Sequence, residues 1–246
     1  MTAHLSAIFR HPIKGIGVEP LDSATLDPAL ALRGDRGWAL LTAAAPDSDD
    51  WQSRGNFLVV ANGPSLATIT AQSVDGGQLT LQRPDAAALT FDPVAEPDAL
   101  RDWIAPVWPA HLPAPARLVR APRHGMTDIP EPWVSVGNLA SLRDLSAKAG
   151  MDLAPERFRI NLWLDGLAPW AEFDLVDTRF QIGTTPLTGK APIERCRAPE
   201  ANPVTGARDV AVTRLLHDTW RHADFGIYAR VDAPGTVRTG DPVALQ

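Results

Sequence analysis

The chain has 246 residues, 45% apolar and 21% charged, with a formal net charge of −6. That is enough apolar material for a folded core, which excludes wholesale disorder. The acidic balance and the lack of a long basic run argue against a nucleic-acid partner held by phosphate neutralisation, although a few arginines in one pocket could still bind a small anion.

Residues 1–15 have no basic start leading into an unbroken apolar stretch, so they read poorly as a signal peptide. Short β-type runs follow at 5–10, 38–42, 57–61, 66–71 and 79–82, separated by Gly, Pro and Asp turn signals. Asp75-Gly76-Gly77 between the last two predicts a hairpin, because glycine tolerates the positive φ of such turns. The polar segment 44–56 reads as a flexible loop. Residues 93–132 are rich in proline and form the connection between two halves, with one short helix over Pro97–Ile104.

Beyond it, Ser135 to Leu139 opens a helix over 138–150, with Leu139, Leu142 and Leu145 on one face and Gly150 as its stop. Residues 156–164 read as one apolar strand. Further strands at 174–183 and 186–189 lead to the loop that carries Cys196. A helix over 212–223 and strands at 225–231 and 236–245 close the chain. The pattern predicts a β-dominated α+β protein of one or two closely packed units. No window approaches the ~18 apolar residues of a membrane span, so no membrane partner is expected. A single cysteine cannot form an internal disulfide, and the cytoplasm is the expected compartment.

Cys196 lies between Arg195 and Arg197 in a loop dense in Pro and Gly. Adjacent guanidinium groups favour a thiolate, the form that ligates soft metals; an inert buried thiol is the alternative. Lys14 and Gly15 sit at a turn in HPIKG, where the lysine can present its amine to a ligand, and Arg36 follows Gly34-Asp35 ahead of a strand; taken singly, each charge reads first as a solvated surface charge or a turn-fixing ion pair. Arg159 and Asn161, two apart in the run 156–164, are expected on one face of a half-buried strand, as ligand contacts or as a structural pair. Glu172 and Asp174, two apart, could be paired carboxylates, but at a strand end they read first as solvated. His217 and His222 are five apart and do not align as metal ligands. The GxSxG, GxGxxG and GxxxxGK[ST] patterns are absent.

Taken in order, these pieces resemble the MOSC family, named after the C-terminal domain of molybdenum cofactor sulfurases. They are most similar to two-part members such as the mitochondrial amidoxime-reducing component and its bacterial relatives. His11-Pro12-Ile13-Lys14-Gly15 matches the family's Y-P-[IV]-K-[SG], and Leu32 to Trp38 its G-L-x-x-D-R-x-W. Pro64 to Ala67 fits P-x-L-A, Ser135 to Leu142 S-x-x-S-L-x-x-L, and Arg157 to Leu162 R-F-R-P-N-[IL]. Arg195-Cys196 with Asn202 to Gly206 behind it matches R-C and D-P-x-T-G; Phe225 to Tyr228 and Gly240 to Val243 match the ending.

The resemblance implies an N-terminal β-barrel unit at 1–100 packed against a MOSC barrel at 101–246, with the boundary anywhere in 93–132. It implies a molybdenum cofactor ligated by Cys196, with Lys14, Gly15, Arg36, Arg159, Asn161 and Arg195 around the pterin and its phosphate. The activity implied is reduction of a small N-hydroxylated or N-oxide substrate, with electrons from a separate flavin or haem protein. Two other readings accompany it: a cofactor carrier or sulfur-handling module without turnover, and a degenerate member that binds no metal. In sulfurases the domain accompanies a pyridoxal-phosphate enzyme, for which 246 residues leave no room; nothing in the sequence supports Lys14 as a Schiff-base lysine. The chain departs from the family pattern at Gly15 for serine, Ala61 for arginine, Ile160 for proline, Phe173 for an acidic residue and Glu194 for a small or hydroxylated one.

Overall fold

Alternating apolar residues give each short run one face to bury, and the structure pairs those runs into four sheets. The computed structural model describes residues 3–245. Its first half holds β1 (His4–Arg10), β2 (Glu19–Leu21), β3 (Ser23–Asp27), β4 (Ala31–Leu32) and β5 (Trp38–Thr42). These are followed by β6 (Thr70–Ser73), β7 (Leu79–Gln82), β8 (Leu89–Phe91), helix α1 (Pro97–Ile104) and β9 (Pro115–Arg120). The second half holds β10 (Trp133–Asn138), α2 (Leu139–Ala149), β11 (Leu162–Asp165), β12 (Arg179–Ile182) and β13 (Thr185–Glu194). It ends with α3 (Val212–Trp220), β14 (Asp224–Val231), β15 (Gly235–Arg238) and β16 (Val243–Leu245). The protein is thus α+β and β-dominated, as its sequence pattern predicts.

The two halves interlock. The main sheet runs β16-β12-β13-β14-β10-β11-β1-β2, antiparallel except for the β10–β11 pair. Its last two strands come from the N-terminus, so the first half completes a sheet built mostly by the second. In return, β15 pairs with β3. One face of the main sheet buries Leu5, Val136, Leu162 and Phe180 beneath Leu26 of β3 and Val237 of β15. On the other face α2 and α3 press Leu142, Leu145, Val212 and Leu216 onto Phe158, Trp163 and Phe225. Removing one such fully buried leucine side chain, Leu145→Ala, costs about 2–5 kcal/mol. A separate core of Ile13, Leu40, Leu81, Phe91 and Leu100 holds the first half together.

Helix α2 begins where the Asn138 side chain accepts the Ala140 N–H at 3.0 Å and ends at Gly150 with φ 68°. Ser135 to Asn138, read from the sequence as the helix opening, is instead the end of β10. The Asp75 to Gly77 turn joins β6 to β7 with both glycines at positive φ.

Three expected strands come out differently. Residues 57–61 make only a single bridge, Phe57 to Leu41, because the Val59 carbonyl turns the chain by accepting the N–H groups of Asn62 and Gly63. In the run 66–71, Pro64 starts a 3-10 turn through Thr68, and pairing begins only at Thr70. Residues 156–164 also start as a 3-10 turn, Pro155–Phe158; Arg159 then adopts φ 51°, and the strand begins at Leu162. Arg159 and Asn161 are therefore not neighbours on one strand face. Within the proline-rich connection, β9 pairs with β5. Glu172, expected in solvent, is buried in a 3-10 turn, where it accepts from Ser141 Oγ at 2.6 Å and Asn138 Nδ2 at 3.1 Å. Burial pushes its carboxyl above the usual range.

Candidate functional site

Where the halves meet, a cleft of about 600 Å³ opens, within the range of small-molecule pockets. Lys14, Gly15, Arg36, Arg159, Asn161, Arg195 and Cys196 all line it. Residues up to 182 positions apart in the chain thus share one wall, because β1 carries the N-terminal turn into the sheet whose β13 leads to the cysteine loop.

Lys14 is 3% exposed. Its ammonium donates to Met126 O and Thr127 O, each at 3.0 Å, and to Asp128 Oδ1 at 2.5 Å. All three of its protons are spent, which leaves no free amine for a carbonyl ligand. Burial lowers its pKa, with Asp128 opposing. Next to it, Gly15 has φ 73°, and a Cβ there would fall 2.8 Å from Val59 Cα and still closer to Leu58 O. The serine of the family pattern does not fit this backbone.

Arg36 and Arg159 are two of the six non-glycine residues with positive φ among the described residues, and Arg36 Nη2 donates to Arg159 O at 2.9 Å. Arg36 also pairs closely with Asp35. Desolvation opposes the Arg36 charge, but Asp35 and Asp128 outweigh it and raise its pKa. Among the described residues Arg159 has no carboxylate partner and its side chain donates only to Gly17 O and Ile13 O, each at 3.3 Å. Desolvation in the cleft, followed by repulsion from Arg36, pulls its pKa down to about 9, so it stays charged at neutral pH.

Asn161 is buried and ties three elements: it accepts from Ser135 Oγ at 2.8 Å and donates to Phe9 O at 3.1 Å. Arg195 grips the carbonyls of Phe225 and Phe158 at 2.8 Å each, which anchors the start of the cysteine loop. Arg197 is turned outward, and its Nε pairs with Glu200 at 2.9 Å. Neither guanidinium donates to the thiol among the described residues. Cys196 itself is partly exposed at the cleft wall.

Five cations line the cleft (Lys14, Arg36, Arg54, Arg159 and Arg195) against the carboxylates of Asp128 and Glu194. Counting Asp35 behind Arg36, two positive charges remain uncompensated in a chain of net charge −6. The cleft is built to accept an anion. Several of its residues carried no signal in the sequence. Asp128 lies in the proline-rich connection, and Trp51 and Arg54 in the polar loop, where Trp51 Nε1 donates to Thr127 O at 3.1 Å. Tyr228, the only tyrosine, lines the cleft with its ring 6.3 Å from that of Trp133; its hydroxyl makes no hydrogen bond among the described residues. Its place in the matched Phe225 to Tyr228 stretch was the available clue.

Comparison with known families identifies a MOSC N-terminal beta barrel domain over residues 2–115 and a MOSC domain over residues 124–244. The chain belongs to the MOSC family. No curated protein matches it. Among solved structures, this MOSC chain is similar to the YUAD protein of Bacillus subtilis at 13% identity and a TM-score of 0.46, over 100% of this chain and 96% of that one. It is also similar to YiiM of Geobacillus stearothermophilus at 17% identity and a TM-score of 0.36, over 46% of this chain and 53% of that one. YiiM of Escherichia coli matches at 22% identity and a TM-score of 0.33, over the same shares. Among the described residues, no helix is long and apolar enough to cross a membrane.

The departures of this MOSC chain from the family pattern have local reasons beyond Gly15. Ile160 is buried and fills the space left by Gly137 and Gly226, each of which would put a Cβ 2.9 Å from its Cδ1. Phe173 stacks on Trp170 at 6.3 Å. Ala61 is part of the cleft wall, and its carbonyl accepts from Arg208 Nη2 at 2.6 Å. Glu194 is exposed at the cleft edge.

Proposed function

We propose that the cleft holds a molybdenum cofactor ligated by Cys196, and that the protein reduces small N-hydroxylated or N-oxide substrates. One observation carries the reading: the only thiol of the chain faces a cleft with excess positive charge, in which Arg159 has no carboxylate partner. The donor set fits such a group, since a soft thiolate suits molybdenum and paired guanidiniums suit a phosphate. Arg36 and Arg159 also hold left-handed backbone conformations, which cost free energy and cluster at functional sites. When bound, the cofactor supplies two-electron redox chemistry.

The residues of the chain have separate parts in this reading. Arg36 and Arg159 hold the phosphate. Arg195 and Asn161 keep the cysteine loop and the arginine turn in register, and Lys14 ties the 126–128 segment to the floor of the cleft. The free Tyr228 hydroxyl is available to donate a hydrogen bond to a substrate oxygen. Trp51 and Trp133 narrow the cleft against water. Electrons come from a separate flavin or haem protein, since the chain has no dinucleotide motif of its own, and the unpaired thiol suits the reducing cytoplasm.

The test is expression in a host that makes molybdenum cofactor, followed by metal and pterin analysis and turnover of an N-hydroxylated model compound with an artificial reductant. Wild-type protein is expected to carry molybdenum. Cys196→Ala is expected to lose metal and turnover while keeping its thermal unfolding temperature, because trimming one partly exposed thiol opens little cavity. Wild-type protein without molybdenum, or full turnover by the alanine variant, sinks the reading. Cofactor without turnover favours the carrier reading.

A further inference from the structure

A second pocket, of about 320 Å³, opens beside the cleft and shares Arg54, Val59, Ala61 and Cys196 with it. The thiol is therefore reached from two sides. Arg36 and Arg159 line only the first cavity; Asn62 and Arg197 line only the second. Ala61 has no bulk beyond its Cβ to block the passage between them.

Two features set the chemistry of the second pocket. The Arg54 side chain is exposed and makes no hydrogen bond or ion pair among the described residues, although its charge helps to lower the Asp128 pKa. Arg197 is held through Nε by Glu200, itself only 7% exposed, so its two terminal nitrogens are presented by a rigid support. Glu200 offsets the Arg197 charge, and the net positive charge of the pocket rests on Arg54. A planar fork beside a second guanidinium matches a carboxylate bidentately. The floor of Val59 and Ala61 is apolar and small, which suits a short carbon skeleton.

We propose that this pocket seats the carboxylate of a small anionic substrate, so that its reducible end would meet the metal held at Cys196 from the cavity that Arg36 and Arg159 do not line. The proposal rests on the reading of the cleft as a cofactor site but is tested without cofactor. Cys196 is the only cysteine, so alkylation of cofactor-free protein by iodoacetate, an anion, and by iodoacetamide, its neutral counterpart, reports the charge of its approach path alone. The iodoacetate-to-iodoacetamide rate ratio is expected to fall roughly fivefold in Arg54→Ala, the loss of one charge near 4 Å in water. Because Arg54 lines both cavities, the deciding variant is Arg197→Ala, which alters only the second pocket: the ratio is expected to fall in Arg197→Ala, and to fall below that of Arg54→Ala in the double variant. Arg143→Ala removes the same charge from α2, away from both cavities, and is expected to leave the ratio unchanged.

In the loaded protein, KM for a carboxylate-bearing N-hydroxylated compound is expected to rise more than KM for a neutral one when Arg54 is lost. A ratio that Arg197→Ala leaves unaltered, alone or on top of Arg54→Ala, overturns the proposal. A lowered ratio in protein that never acquires molybdenum sustains the anion pocket and overturns only the cofactor reading.

Discussion

Lowering the pH from about 7 to about 5 is expected to cost the protein about 2 kcal/mol of stability through His11 alone. His11 is 0% exposed; its Nδ1 makes only a long contact, 3.4 Å, to Asp35 Oδ1, and its Nε2 has no hydrogen-bond partner among the described residues. Burial first, and then the charge of Arg159, lower its pKa from 6.5 to about 3, against the opposing pull of Asp35. Because the folded value lies below the unfolded one, the unfolded chain binds more protons between them, and stability is lost as pH falls below 6.5 toward 3. At 1.36 kcal/mol per pH unit, most of the span from 6.5 to 5 counts, which gives about 2 kcal/mol. Asp35, held well below the usual range although burial alone would raise it, titrates only under more acid conditions. Glu172, raised by burial, works in the opposite sense and is common to any variant. His11→Phe replaces one planar ring by another and removes a buried, unpartnered Nε2 along with the long Nδ1 contact to Asp35; the two effects oppose each other, so at neutral pH its stability is expected within about 1 kcal/mol of wild type. Urea midpoints of both proteins at both pH values give the answer. If the phenylalanine variant loses as much stability on acidification as wild type, the account of His11 is wrong.

Gly15→Ser, the change toward the family pattern, is expected to destabilise by about 1–3 kcal/mol, since φ is 73° and the new Cβ meets Leu58 O and Val59; a urea midpoint equal to wild type would refute it. Arg159→Met keeps an unbranched side chain but removes the uncompensated charge. Stability is expected to change by less than about 1 kcal/mol while pterin retention weakens by about 1–3 kcal/mol, read as pterin fluorescence after dialysis. Undiminished retention would remove Arg159 from the phosphate site.

The sequence by itself determined the β-dominated class, the α2 helix with its Gly150 stop, and the glycine hairpin, because period and turn chemistry act over a few residues. Through motif order it also identified seven residues that share one cleft. Only the tertiary structure decided what those residues do. Lys14 reads as a presented amine until Met126, Thr127 and Asp128, more than 110 positions away, enclose it. Arg159 reads as a strand residue because the run is apolar, yet carbonyls from Ile13 and Gly17 and a donor from Arg36 favour its left-handed turn. Asp128, Trp51 and Arg54 sit in segments with no period at all, and they reach the cleft because β1 threads into the sheet of the second half and β9 returns to β5. A charge in sequence has no sign of environment; whether it is solvated, paired or left uncompensated depends on which distant carbonyls and carboxylates the fold brings within hydrogen-bonding distance.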